Sequence, residues 1–572
     1  MIRLRHGWTV GLLAGLLAAI QSCGDSTAPG GTPVIEFGLT DIDLQAGRDT
    51  VVEVRNTGTA AIGPVQLVSL SVRNAGGGMV PGAQLQATPS EIATLIPGAG
   101  ATVTVSITTP AGVAAGSYRV GLEARSQAVL LASTVVRFSV GAGSGPPQAN
   151  TVRITGGPSA FTRGDVVQFS AEVLDSTGTA VPGAPLTWTV LGFGLFASDG
   201  RFVAYSTGPI RVVASSGTAA DTMAVTVSDR TLTGSLQVVG QGQVDPNITT
   251  SDLWVNGSVL YSGTHASGGG GRFYAWSLAN PTAPSQIDSL VIDARVVNDV
   301  KIRDDGTLAV ITHEGSADGQ NGVTLLDMTD PNHPTVITRY TQGLAAGIHN
   351  AWIDGTTLYL VTDGTNSTTG GLRILDISNP SNPVEVGSFY GGTGFLHDVY
   401  VRNGLAILSH WSVGLIIVDV GNGIAGGSPS NPVEVSRLTM PGYLVHNAWY
   451  WPAGGYIFLG DEVNRPGTMR VIDVSDLRRP SFVATYRALA NTPHNFWLDE
   501  TRGILYLAWY ASGVRALDVN GPLMGELERE GREIAGLVYD GGTTMSWAPQ
   551  LHNGLVYVSD FNTGIKVLQP NF

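Results

Sequence analysis

Gly371 to Phe389, GLRILDISNPSNPVEVGSF, is an apolar run closed by an acid, a Pro-bearing turn and a second run that returns. Six other stretches share the design: FYAWSLANP at Ser277, VTLLDMTDP at Asp327, LIIVDVGN at Asp419, MRVIDVSD at Asp473, VRALDVNGP at Asp518 and IKVLQP at Gln569, with Asp376 the anchor of the first. The anchors lie 50, 49, 43, 54, 45 and 51 residues apart. Internal repetition at such a period decides architecture before any local reading does. The runs lack the 3.6 spacing of helical repeats, so each period predicts one four-stranded propeller blade.

The fourth copy shows the blade in full. HDVYVR (from His397), a tight Asn403-Gly404 turn, LAILSH (from Leu405), LIIVDV (from Leu415) and VEVSRL (from Val433) follow one another. Asn-Gly between two alternating runs is a strong hairpin signal. The last copy has no return strand, whereas SLQVVG, Ser235 to Gly240, precedes the first copy unpaired. Pairing of those two ends predicts a closed ring of seven blades over 231–572, which leaves no free sheet edge.

Upstream, strand-like runs alternate with Gly, Pro and Asn turns. TVVEVRNTG, ATVTVSITTP and GSYRVGLEA place a β-sandwich over 34–140, GAGSGPPQ makes 141–149 a linker, and a second sandwich fills 150–229. The first resembles the Ig-like modules of bacterial surface proteins, and the second resembles the bacterial Ig-like (Big) fold of intimin and invasin stalks, with Trp188 its expected core plug. The fold class is therefore all-β: two Ig-like sandwiches followed by a propeller. The 76 Gly, 30 Pro and 13% charged residues agree with many short strands joined by turns.

The chain opens with Arg3, Arg5 and an apolar run from Trp8 to Ile20, too short to span a bilayer, so 1–22 reads as a secretory leader. Ile20-Gln21-Ser22-Cys23 resembles the lipobox of bacterial lipoproteins, which implies that Cys23 becomes a lipidated first residue and anchors the chain to a membrane. Gln21 departs from the usual occupant of its position. Cys23 is the sole cysteine, so the mature domains hold no disulfide. Residues 23–33 make a flexible tether. The formal charge of −14, or −16 without a leader that carries two arginines and no acid, argues against nucleic acid and against electrostatic docking on anionic lipid.

GLRILDISNPSNPVEVGSF and HDVYVRNGLAILSHWSVGLIIVDV resemble LVIVD repeats, found as propellers in bacterial and archaeal surface proteins. The resemblance spans the propeller region and implies an envelope location, while the family's roles are unassigned. Ser277 and Gln569 replace its strand-closing Asp, so the first and last blades are expected to lack that strand-end hydrogen bond.

Four consecutive copies carry a His followed by an amide or acid at the start of the innermost strand: His349-Asn350, His397-Asp398, His446-Asn447 and His494-Asn495. Asn298-Asp299, Ser251-Asp252 and Ser546-Trp547 occupy the equivalent places. A closed ring brings them to one end of the channel, where the tips of the second strands join them: His313, Asp363, His410, Trp411, Asp461, Trp509, Tyr510 and Asp560, with Glu314 and Glu462 alongside. Two readings stand. In WD-repeat propellers a His in the equivalent loop bonds within its own blade, and a residue repeated in every blade builds the blade. Alternatively, His349, His397, His446 and His494 converge as ligands for iron, copper or zinc, with carboxylates orienting the rings. Carotenoid-cleaving oxygenases and the selenium-binding and methanethiol oxidase propellers resemble that arrangement in the His positions alone. The aromatics three residues on, Trp352, Tyr400, Trp449 and Trp497, are expected on the opposite side of the strand, packing between blades.

No nucleophile elbow, zinc-protease helix, P-loop or calcium loop is present. The expected function is a lipid-anchored envelope protein displaying a non-catalytic propeller that binds a protein or glycan. A metal-dependent oxidoreductase of the periplasm or cell surface is the alternative, and an envelope component that binds nothing specific is a third.

Overall fold

A computed structural model describes residues 33–38, 41–45, 49–110, 113–114, 116–126, 129–140, 150–243, 247–265, 271–368, 370–462, 467–488 and 490–572. The leader, Cys23, nearly all of the tether and the linker 141–149 lie outside the described residues. The chain divides into two compact units, Met1–Ala111 with Ser117–Phe138 and Gly112–Gly116 with Ser139–Phe572.

In the first unit, Ile35–Phe37, Asp49–Asn56, Gly100–Thr108 and Gln84–Thr88 form one sheet in that order. Asp41–Gln45, Val129–Val140, Gly116–Ser126, Val65–Ser69 and Glu91–Ile92 form the other, which Arg73–Asn74 joins at Gly116–Ser126. Alternation sets the core: Val52, Val54, Val103, Val105 and Ile107 are buried while their neighbours point outward.

The second unit begins with three small sheets between Thr151 and Ser228, among them Ala160–Thr162, Ala219–Ser228, Gly208–Ser216 and Thr187–Leu191 in that order. Their core is Phe169, Phe202, Ile210, Val212, Val225 and Val227. Trp188 is only partly buried; it stacks on Phe196 at 5.5 Å between this cluster and the one around Val152 and Val173, so the fully enclosed plug is Phe169.

Among the described residues seven sheets follow, most from one repeat, their strands pairing antiparallel except Gly525–Glu526, which joins Ser481–Tyr486 in parallel. The first is Thr249–Asn256, Val259–His265, Gly271–Ser277 and Ser285–Ile292. Later sheets open with Val300–Ile302, Ile348–Asp354, Leu396–Arg402, Val445–Trp451, Phe496–Asp499 and Ser546–His552. Each opening strand touches the opening strand of the next sheet, and Ser546–His552 touches Thr249–Asn256, which closes a circle around a central channel. The fourth strand of the seventh sheet is Ser235–Gly242, antiparallel to Gly564–Asn571 from Ser235↔Asn571 to Gly242↔Ile565. Gln550 seals the same join from inside, accepting from Val255 N at 2.7 Å and donating to Val255 O at 3.1 Å.

Local chemistry explains the repeat. Asn403 and Gly404 both take positive φ, 53° and 70°, as a tight hairpin turn demands. Asp327, Asp376 and Asp473 each accept the backbone N–H two residues on, which sets the turn after the third strand. Ser277 keeps this bond, accepting from Ala279 N at 3.3 Å, because a hydroxyl reaches the same N–H; the expected loss in the first blade is corrected.

Candidate functional site in the central channel

The opening strands do not keep strict alternation at their channel end. Pairing with the second strand skips His349 between Ile348 and Asn350, His397 between Leu396 and Asp398, His446 and Asn447 between Val445 and Ala448, and Trp547 between Ser546 and Ala548. Each is a β-bulge, which turns two successive side chains to one face. His349 with Asn350 and His397 with Asp398 accordingly line the same cavity, together with His446, His494, Asn495, Trp547, Asn298, Asp299 and Asp252. The bulge also corrects the expected side of the aromatics three residues on: they follow the amide or acid by two and share its channel-facing side.

Three layers result. The innermost-strand aromatics close a ring, with centroids 6.3 Å apart for Trp254–Trp352, 4.6 Å for Trp352–Tyr400, 5.2 Å for Tyr400–Trp449, 5.1 Å for Trp449–Trp497 and 6.0 Å for Trp497–Trp254. Lys301 takes the second sheet's place in that layer, its ammonium 5.4 Å from the Trp254 ring. Above it, Lys301 Nζ meets Asp252 at 2.8 Å and Asp299 at 2.5 Å. The third layer is a run of imidazoles packed edge-on or tilted, with centroids 4.4 Å apart for His349–His397, 4.2 Å for His397–His446 and 4.1 Å for His446–His494, ending on Trp547 at 4.0 Å from His494.

Ring members tie to the neighbouring sheet. Asn298 donates to His349 O at 2.9 Å, His397 Nδ1 to His446 O at 2.9 Å and His494 Nδ1 to Trp547 O at 2.8 Å. His349 Nδ1 lies 2.8 Å from Glu314 Oε1 and 3.6 Å from Asp363. All four histidines are buried, none more than 5% exposed. Burial, reinforced by the adjacent imidazoles, pushes His397, His446 and His494 well below the usual imidazole range, so these rings are neutral.

A cap covers this layer. One residue at the tip of each second strand reaches over it: His265, Glu314, Asp363, Trp411, Glu462, Tyr510 and Phe561. Trp411 stacks on His397 at 5.2 Å and 13°, Phe395 packs edge-on against His349, His397 and Trp411, and Tyr510 packs edge-on against His494. The Tyr510 hydroxyl donates to Glu462 Oε1. Glu462 Oε2 stands 3.7 Å from His446 Nε2 and 3.9 Å from His397 Nε2. Burial pushes the Glu462 carboxyl up to about 7. The cavity on the channel side of the imidazole layer, lined by these histidines with Asp252, Asn298, Asp299, Asn350, Asp398, Asn495 and Trp547 and by none of the cap residues, is about 20 Å³, room for about one water.

Of the tip residues singled out in the sequence, Asp363, Trp411 and Tyr510 join this site. The rest turn away from it into the packing of the sheets by strand alternation. His313 bonds Thr324 at 2.9 Å, His410 bonds Gly392 O at 3.3 Å, Asp461 accepts Leu444 N at 3.0 Å and Asp560 accepts Met545 N at 2.7 Å. Trp509 is fully buried against Tyr486 in a core cluster. Glu314 and Glu462 were visible as their neighbours; the signal that separates each pair is which member continues the outward side of the alternating second strand.

No curated protein matches the chain. Among solved structures it is similar to the computationally designed Ika8 protein, 10% identical with a TM-score of 0.40 over 58% of this chain and 99% of that one. It is also similar to the β-propeller domain of Myceliophthora thermophila Cps50 (Swd1), 11% identical with a TM-score of 0.43 over 58% and 99%, and to Chaetomium thermophilum Sqt1, 11% identical with a TM-score of 0.40 over 57% and 86%. The strand pairing within the chain, independent of those likenesses, is that of a β-propeller repeat protein. A family model described as LVIVD repeat matches residues 317–342 and 367–390, the second and third copies of the pattern, so the chain carries LVIVD repeats.

Proposed function

We propose that this chain is a lipid-anchored cell-envelope protein in which two Ig-like sandwiches carry a seven-bladed propeller, and that the propeller binds rather than catalyses. The carrying observation is the convergence of one tip side chain per sheet over a single end of the channel. Phe395 and Trp411, half-buried there with centroids 5.2 Å apart, supply the kind of aromatic pair that meets a sugar face or an apolar side chain. A protein or glycan ligand would meet that cap from outside, because the channel cavity on the far side of the imidazole layer has room for only about one water. The acidic chain and the lipobox-like Ile20-Gln21-Ser22-Cys23 support the envelope location.

Two measurements test this. Fatty-acid labelling of the chain in a bacterial host should be lost in Cys23→Ala, and a label that persists overturns the anchor. Co-sedimentation of the purified chain with envelope polysaccharide or with an immobilised envelope protein should fall at least about tenfold in the Phe395→Ala, Trp411→Ala double variant with an unchanged melting temperature. Equal binding by that variant overturns the cap as the ligand face.

A further inference from the structure

We propose that His397, His446 and Glu462 form a binding site for one divalent transition-metal ion beneath the cap, with His349 as the adjacent fourth donor. The site deepens the reading of the channel end as a ligand centre and rests on that placement.

The tautomers carry the argument. The Nδ1 of His397 and of His494 each faces a backbone carbonyl, and the Nδ1 of His349 faces a carboxylate oxygen. A carbonyl or carboxylate oxygen only accepts, so each Nδ1 holds the proton, and a neutral ring then carries a bare lone pair on Nε2. The Nε2 atoms of His349 and His397 face each other at 3.1 Å. Two lone pairs at that distance repel unless a proton or a metal ion lies between or beside them. His446 Nε2, His494 Nε2 and Glu462 Oε2 are buried with no hydrogen-bond partner, and each such orphan destabilises the fold unless something satisfies it.

A proton is the poorer solution. One proton, shared between His349 and His397, satisfies the 3.1 Å contact of their Nε2 atoms and leaves His446 Nε2, His494 Nε2 and Glu462 Oε2 bare. A metal ion takes several lone pairs at once. One ligand atom each from His397, His446 and Glu462 lies within 4.8 Å of the others. The Glu462 oxygen stands 3.7 and 3.9 Å from the two Nε2 atoms, a few tenths of an ångström beyond the ~3.4 Å edge of a tetrahedron with 2.0–2.1 Å bonds, so a small rotation of the carboxylate brings it to ligand spacing from both rings. At His397 the surroundings match those of a metal-bound histidine, because Nδ1–H held by the His446 carbonyl fixes the ring, and Tyr510 holds the other oxygen of Glu462; His446 has no such partner at Nδ1. Two imidazoles and one carboxylate with open positions suit zinc or ferrous iron rather than calcium or magnesium.

The test uses the full chain in detergent. Equilibrium dialysis against Zn²⁺ should give one ion per chain with a Kd below about 1 µM. His446→Ala and Glu462→Gln should each weaken it at least about 100-fold, while His333→Ala, at an exposed histidine, should leave it unchanged. Zinc held equally by wild type and by both channel variants overturns the proposal, as does a wild-type Kd above about 0.1 mM. Should either variant fail to fold, Co²⁺ absorption of the wild-type chain decides: an intense four- or five-coordinate visible spectrum supports the site and a weak six-coordinate one overturns it. None of these readouts requires lipid or an envelope ligand, so loss of the anchor or of the cap's ligand is told apart from loss of the metal site.

Discussion

Arg532 donates from Nη2 to the carbonyl of Gly164 at 2.6 Å, a bond between residues 368 apart that fastens the small sheets of Thr151 to Ser228 to the sheet that opens with Phe496–Asp499. The guanidinium is 1% exposed, and its other N–H groups go to Glu530 at 3.0 Å, Asn520 O at 2.9 Å, Asp518 O at 3.2 Å and Pro522 O at 3.0 Å. Arg230 spans the same join, paired with Asp165 at 3.0 Å and with Asp518. Arg532→Met removes the fork and strands Glu530 in a buried site, so chemical denaturation should show a loss of about 3–5 kcal/mol. Arg532→Lys, a point charge with three donors for a five-donor site, should recover only part of it.

Lys301 sets a pH dependence of its own. Its ammonium neutralises two buried acids, and Asp299 is pushed up by burial first and by the Asp252 charge after that, against the opposing pull of Lys301. Lys301→Met leaves Asp252 and Asp299 without a cation, which should cost about 3–5 kcal/mol at pH 8.5. A carboxyl raised above its unfolded value contributes stability that is full below about pH 4 and lost as pH rises through its folded value. The deficit of the variant should therefore shrink on going to pH 5.5, read as a smaller gap in melting temperature from wild type; a gap that is constant with pH contradicts this.

Much of the propeller was legible because period and alternation are backbone facts. The seven anchors, the Asn403-Gly404 turn and the orphan run at Ser235 follow from them. The bulges were not: nothing in HNAWID or HDVYVR marks His349 or His397 as the extra residue, and one skipped position moves Trp352 and Tyr400 from the blade interior to the channel. Pairs such as His313-Glu314 and Asp461-Glu462 left the choice of the inward member to strand register. Trp509 looked available at a tip, yet its ring lies in the core because alternation sends Tyr510 over the site instead. The join through Arg532 gave no local sign, since a buried arginine in a long connection reads like an exposed one.

Glu528 offers a substitution that should stabilise. Burial pushes its carboxyl up to about 7, and the hydrogen bond it accepts from Arg487 N at 3.3 Å is one that a glutamine carbonyl can also accept. In the wild type the folded state binds this proton between about pH 4.5 and 7 and the unfolded state does not, so the stability contributed at low pH is lost as pH rises through 7. Glu528→Gln should therefore gain up to about 3 kcal/mol at pH 8 and almost nothing at pH 4.5. Paired urea titrations at the two pH values measure the difference, and an equal effect at both would show that Glu528 is charged in the native state.

Closure of the ring makes the C-terminus the most sensitive end of the chain. Ile565, Val567 and Leu568 are fully buried between the first, sixth and seventh sheets, and among the described residues the strand that carries them is the one paired with Ser235–Gly242. Leu568→Ala should cost about 2–4 kcal/mol by lost burial and the cavity left behind. Ending the chain at Gly564 removes all three and leaves Leu555–Asp560 and Ser235–Gly242 as open edges, each a template for pairing with another chain. Size-exclusion chromatography should then show oligomers in place of the monomer or dimer of the intact chain. A truncated chain that stays the size of the intact one and melts at the same temperature would show that the ring is held without its final strand.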